Sequence, residues 1–175
     1  MSDHETIQAR RVLPEEIDRV FGDGGDDIRQ VERRARDAYP GQRLIVWEGD
    51  PQTFAFGYVG GDAEQLLGHP ASAWLGPSFW VESIVHPEDR RDAVAYCALA
   101  SGKACDHVFE YRAVHPAGGV VWLLDYVRVV LGPRGIPSLL RGLMFDITAE
   151  KTRSGAYASV PSYRLPSIDQ LQALP

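Results

Sequence analysis

Five histidines and two cysteines are the residues of this 175-residue chain best suited to chemistry. His4, His69, His86, His107 and His115 nowhere fall in an HExxH or comparable ligand spacing, so no zinc-type site is indicated. His69 and His115 each precede a proline and read as loop and turn residues. Cys97 and Cys105 lack C-x-x-C spacing and read as free thiols of a reducing compartment. Cys97 falls in a helical segment, where a thiol is ordinarily small apolar filler; reactivity would require a lowered pKa. Glu88 and Asp89 could form an acid–base pair on paper, but at a helix start carboxylates already offset the helix dipole. Gly57, Gly60 and Gly61 miss the dinucleotide-binding spacing. Arg33, Arg34 and Arg36, with Glu32 and Asp37 beside them, read as a solvated helix face, and a net charge of −6 argues against a nucleic-acid partner. That leaves Asp125, a carboxylate in an otherwise apolar run.

The elements that must position these groups fall into three zones. Residues 1–42 form a helical extension, 43–151 a mixed α and β domain, and 152–175 a tail or linker to an output domain. In the first zone, Leu13, Ile17, Val20 and Phe21, then Ile28, Val31, Ala35 and Ala38, repeat at steps of three and four. The glycines at 22, 24 and 25 break this stripe, Asp26 or Asp27 can cap a second helix, and Pro40-Gly41 ends it. Two short helices are predicted, at about 14–21 and 27–38. Neither is long enough to stand alone in water, so the stripe must pack on something. In the second zone, 44–47 and 53–59 read as strands, with Phe54, Phe56 and Tyr58 alternating with small residues. Short helices are predicted near 63–67, 72–75 and 79–85, then a longer one from Pro87 to Ala100. Strands at 106–114, 120–131 and 138–145, separated by glycine- and proline-bearing turns, complete a meander.

The long strand splits by its two-residue period. Trp122, Leu124, Tyr126, Arg128 and Val130 share one face; Val121, Leu123, Asp125, Val127 and Val129 share the other. An antiparallel sheet with one wet face alternates apolar and polar residues. This one does not, so both faces must be covered. The internal helices can cover one. The N-terminal stripe, a second copy of the chain, or both can cover the other. Asp125 on the inner face is expensive unless satisfied. It reads either as a structural carboxylate, paired with a nearby arginine or near the sheet edge, or as a polar hook in a ligand pocket.

The order of elements, and the wording of several, resembles a PAS domain from about Arg43 to Lys151. Phe56-Gly57-Tyr58-Val59 with Leu66-Leu67-Gly68-His69-Pro70 is similar to the family's second strand and first helix. Trp74-Leu75-Gly76 through Phe79-Trp80 resembles its linker region. His86-Pro87-Glu88-Asp89-Arg90 resembles the start of its long helix. Glu110-Tyr111-Arg112, Gly119-Val120-Val121-Trp122 and Gly142-Leu143-Met144-Phe145-Asp146-Ile147-Thr148 resemble its last three strands and exit. The resemblance implies an α+β fold: a five-stranded antiparallel sheet with helices on one face, here with N-terminal amphipathic helices added. It also implies a bacterial sensory module that binds a small ligand or homodimerises and passes a change to an output such as a histidine kinase or diguanylate cyclase. Asp146, Ile147 and Thr148 would be its signal exit. The residues after it, Ser154-Gly155 and 161–166, depart from the helical linker usual in the family.

No cofactor is specified. The photoreactive flavin branch of the family carries a cysteine in an Asn-Cys-Arg-Phe-Leu-Gln setting, and Trp80-Val81-Glu82-Ser83-Ile84-Val85 holds none. Haem would need an axial histidine, usually on the long helix; His86 precedes that helix and His107 lies on a strand. Candidate pocket residues are Phe54, Tyr58, Trp74, Trp80, Tyr111, Leu123 and Asp125, each of which also reads as ordinary core. Candidate dimerisation residues are Ile17, Val20, Phe21, Ile28, Val31, Trp122, Leu124 and Tyr126. A filled-core interaction module is the alternative, and a cone-shaped isomerase with Asp125 as base a remote one. No apolar run is long enough to span a membrane and no signal-peptide core is visible, so a cytoplasmic location is expected.

Overall fold

A computed structural model describes residues 13–153. His4, the first part of the N-terminal extension and nearly all of the expected tail lie outside the described residues. Two helices open the described chain, α1 (Glu15–Phe21) and α2 (Ile28–Ala38). The Asp27 side chain caps α2 by accepting from the Arg29 N–H at 2.8 Å. Strands β1 (Leu44–Gly49) and β2 (Phe56–Gly61) come next. Short helices α3 (Ala63–Leu67) and α4 (Ala71–Trp74) lead to a single π-helical turn, Trp80–Ile84, and then to α5 (Arg90–Gly102). Strands β3 (His107–Val114), β4 (Val120–Leu131) and β5 (Pro137–Asp146) complete the sheet, and α6 (Thr148–Arg153) leaves it.

The sheet order is β2-β1-β5-β4-β3, antiparallel throughout. Its two faces carry separate apolar cores. The inner core joins Ile45, Trp47, Leu123, Val127, Val129 and Met144 to residues of α3–α5 and the π turn. The outer core joins Leu124, Tyr126, Leu143 and Phe145 to Ile17, Val20, Phe21, Val31 and Ala35 of the N-terminal helices. Both faces are therefore covered, as the β4 pattern requires, and the outer cover comes from the same chain. Ile17, Val20, Phe21 and Val31 are almost fully buried against the sheet, with Ile28 and Trp122 packed partly buried beside them. A dimer through these side chains would have to pull them off the sheet first.

Polar ties fix this cover at several points. Arg128, on the outer face of β4, donates to the Gly22 carbonyl at 2.9 Å and pairs with Asp18 and, at 3.0 Å, with Asp106. Arg141 on β5 donates to the Asp26 carbonyl at 2.6 Å and to Glu48 at 2.9 Å. Arg34 donates to the Val20 carbonyl at 2.9 Å and pairs with Asp26 at 2.7 Å, so it clasps α1 to α2 and is not a free solvated charge.

Candidate functional site

The inner core leaves a small cavity against the sheet. Its walls are Trp47, Gly49, Asp50, Phe54, Phe56, Trp80, Cys97, Phe109, Asp125 and Met144. The free space is about 10 Å3, the room needed by one water. Cross-strand register explains the floor: Phe109, Asp125 and Met144 are directly opposed on β3, β4 and β5. Trp47 reaches Asp125 from β1 by lying over Gly142 of β5. A Cβ at Gly142 would stand 1.9 Å from the Trp47 ring, so only glycine leaves the indole its place.

Asp125 is 1% exposed and is the polar centre of this space. Its Oδ1 accepts from Trp47 Nε1–H at 3.1 Å, and its Oδ2 accepts from the Tyr111 hydroxyl at 3.2 Å. Tyr111 in turn accepts from Trp80 Nε1–H at 3.1 Å. Burial pushes the Asp125 carboxyl up to about 8, against the pull of these hydrogen bonds. Neither structural reading of Asp125 from sequence holds. No arginine pairs with it among the described residues, and it lies mid-strand on β4, one strand in from the edge strand β3.

Of the pocket residues read from sequence, Phe54, Trp80 and Asp125 line the cavity, and Tyr111 hydrogen-bonds to its carboxylate. Trp74 and Leu123 are fully buried in the same core without lining the space; Trp74 packs edge-on to Phe56 with centroids 5.4 Å apart. Tyr58 is a correction. Glu48 pairs with Tyr58 but Gly49 pairs with Phe56, so Gly57 is an extra residue bulged out of β2. Alternation breaks there: Phe56 faces the inner core, while the Tyr58 hydroxyl donates to Glu32 of α2 on the outer side. Phe54 is not in the strand at all. It sits in the preceding turn at φ 55°. The sequence reading missed Trp47, Phe56, Phe109, Cys97 and Met144. Phe109 was recoverable, since it lies two residues before Tyr111 on a strand whose alternate residues are buried.

Other candidates for chemistry take structural places. Cys97 touches the cavity, but burial pushes its thiol up to about 12, far from nucleophilic thiolate. His107 is buried, its Nδ1 lies 2.9 Å from the Cys105 carbonyl, and burial pushes it down to about 4. His86 accepts from the Glu88 N–H at 3.3 Å, a turn contact. Asp89 accepts from the Arg112 N–H at 2.9 Å and, with Glu88, holds the Arg112 guanidinium. This acidic pair therefore ties the start of α5 to β3, a more specific role than dipole compensation. No group of three or more metal-ligating side chains occurs among the described residues.

A long antiparallel sheet wrapped on its inner side by short helices, a π turn and one longer helix, around a small polar-centred cavity, is the architecture of a sensor domain. A family model for the PAS fold matches residues 57–144, half of the chain, and the chain belongs to this family. Among solved structures, it resembles the N-terminal domain of a diguanylate cyclase with PAS/PAC sensor from Marinobacter aquaeolei. That likeness has 40% identity over 61% of this chain and 97% of the other, with a TM-score of 0.57. A sensory box histidine kinase/response regulator from Burkholderia thailandensis is 23% identical over 70% of this chain and 90% of the other (TM-score 0.56). A PAS domain from Colwellia psychrerythraea is 16% identical over 68% and 98%, respectively (TM-score 0.51). The latter two share the fold alone. No curated protein matches the chain. No helix among the described residues is long and apolar enough to cross a membrane.

Proposed function

We propose that this PAS sensor domain is a non-enzymatic input module whose inner cavity takes a small ligand and whose exit helix passes the change to a signalling output. The observation that carries the reading is Asp125: a buried carboxyl with indole and phenol donors aimed at it, bordering free space. A carboxyl with no role beyond packing would be costly there. The same inventory speaks against turnover, because the cavity pairs this acid with a protonated thiol and a tyrosine raised well above its usual range, and its other carboxylate, Asp50, is exposed and held below the usual range, a weak base.

The route outward runs through β4. The Trp122 N–H donates to Thr148 Oγ1 at 3.0 Å, the Ile147 N–H donates to the Trp122 carbonyl at 2.9 Å, and Thr148 is capped by Asp146. A shift at Asp125 thus lies three residues along one strand from the residue that holds α6. The diguanylate cyclase that carries the 40%-identical sensor supports an output of that kind. A homodimer remains part of the proposal, through surface other than the buried N-terminal stripe.

The 10 Å3 cavity favours a second reading, a filled-core interaction module with no ligand. Native mass spectrometry against the denatured mass separates the two. A retained mass that leaves on denaturation supports the sensor reading. Bare protein from native expression, unchanged by soaking with metabolite extracts, supports the filled core.

A further inference from the structure

We propose that the inner cavity recognises a small organic ammonium ion, held by the Asp125 carboxylate within walls formed by the rings of Trp47, Phe54, Phe56, Trp80 and Phe109. This deepens the ligand-binding reading above and rests on it. The first argument is a count of donors. Trp47 and Tyr111 both donate to Asp125, and Trp80 donates to Tyr111. Every partner is neutral. The buried cations of the sheet, Arg128 and Arg141, are engaged elsewhere with Asp106 and Glu48, and Lys151 of α6 pairs with Glu110. The ionised carboxylate thus receives one neutral donor on each oxygen, keeps acceptor capacity to spare, and lacks a positive charge. A cationic donor supplies the missing part.

The walls give the second argument. Five of the ten lining residues are aromatic, and rings attract a desolvated cation through their negative faces. A bare proton or metal ion gains little from such walls; an alkylammonium gains both hydrogen bonds and ring contact. The third argument is the mouth. Asp50 lines the cavity yet is exposed, and the backbone N–H groups of Thr53 and Gln52 hold its carboxyl below the usual range. No basic side chain lines the space. An anion meets repulsion at the mouth and no positive charge within, whereas a cation meets attraction at the mouth and, once the Asp125 proton leaves, at the inner carboxylate. The entrance is the 50–55 turn, whose Phe54 is half-buried in a left-handed conformation, outside any strand. Because the closed space suits one water, entry of even methylammonium requires this turn to swing outward.

Binding is a charge-neutral exchange. The empty site holds Asp125 protonated at neutral pH, since burial outweighs its hydrogen bonds. The entering ammonium donates N–H to the carboxylate, and the displaced carboxyl proton goes to buffer. The other titratable groups facing the carboxyl are Tyr111 of β3 and Cys97 of α5, both raised and protonated, and Asp50 at the mouth, already ionised. The released proton is therefore that of Asp125.

The test is titration calorimetry of the full 175-residue chain at pH 7 with methylammonium and ethylammonium, against ethanol and acetate, in two buffers of different ionisation enthalpy. Expected are saturable binding of the ammonium ions, release of close to one proton, and no saturable binding of ethanol or acetate. Asp125→Asn, nearly isosteric, should weaken ammonium binding by about tenfold or more, the loss of one buried charge-assisted hydrogen bond. Equal binding of ethanol, unchanged affinity in Asp125→Asn, or binding without proton release overturns the proposal. If Asp125→Asn does not fold, Asp50→Asn on the exposed turn carries the test: severalfold weaker binding at low salt supports the proposal, and unchanged affinity overturns it. Native mass spectra distinguish the two levels. A retained mass other than an amine, with no ammonium binding, overturns the ammonium assignment and leaves the sensor reading standing. No retained mass and no ammonium binding sinks both.

Discussion

Asp125 and His107 give the molecule two opposed pH dependences. The Asp125 carboxyl rises from an ordinary 3.8 to about 8, so the folded state holds a proton that the unfolded state has released. Its contribution is fully present below pH 4 and is lost as pH climbs through 8. His107 is depressed from 6.5 to about 4, so its contribution is present above 6.5 and is lost as pH falls toward 4. Of these two groups, Asp125 alone acts between pH 6.5 and 8. Denaturation midpoints should fall across that interval by the equivalent of a few kcal/mol at most, and Asp125→Asn should flatten the slope. A slope unchanged in the variant would place the titration elsewhere. Gly142→Ala tests the neighbour: the added methyl meets the Trp47 indole, and a loss on the order of 2–3 kcal/mol is expected, together with altered indole fluorescence. At this scale the sequence is partly transparent. Asp125 stands out because one carboxylate breaks an apolar period. Its partners do not, because Trp47, 78 positions away in the chain, is brought to it by pairing across the sheet. Tyr58 misleads because a one-residue bulge reverses the facing of everything beyond it and leaves no mark except a glycine.

Among the elements, the N-terminal helices and the β4 strand are the most legible, the helices by apolar residues at steps of three and four and β4 by a long run apolar on both faces, with glycine and proline stops at their ends. The π turn is not, because Trp80–Ile84 has the composition of any short apolar helix and is shaped by its surroundings. Arg90 donates to the carbonyls of Val85 at 3.1 Å and Glu82 at 2.7 Å, and Val85 bridges to Ala113 of β3. Helix α6 is legible only as a family exit; the contact that docks it is between side chains. The Lys151 ammonium pairs with Glu110 and lies 4.8 Å from the centre of the Trp122 ring. Both partners of the ion pair are nearly buried, so removing one strands the other. Lys151→Met should cost on the order of 2–3 kcal/mol and release α6, and the Glu110→Gln, Lys151→Met double variant should recover much of that. Amide exchange at Ile147–Lys151 reports the outcome. Exchange rates equal to wild type in the single variant would show that α6 is held by its backbone contacts alone.

For the whole molecule, the decisive fact is which body covers the outer sheet face. The β4 pattern demands a cover, but an apolar stripe from the same chain and one from a second copy look alike in sequence. The structure distinguishes them through buried arginines that no periodicity announces. Arg128 and Arg141 reach from the sheet to Asp18 and to the backbone at Gly22 and Asp26, contacts that fix α1 and α2 at a set position. Removal of residues 1–40 therefore has a definite consequence. It bares Leu124, Tyr126, Leu143 and Phe145 together and leaves Arg128 and Arg141 without those contacts. Exposing four large apolar side chains, at roughly 1.5–3 kcal/mol each, approaches the whole stability of a small domain. The truncated protein should bind hydrophobic dyes, unfold at markedly lower denaturant and self-associate with rising concentration, measured by light scattering. If the helices instead served chiefly to join two protomers, their loss would yield a well-folded monomer with no dye binding. That outcome would show the outer face to be stable bare, and the intrachain cover to be dispensable.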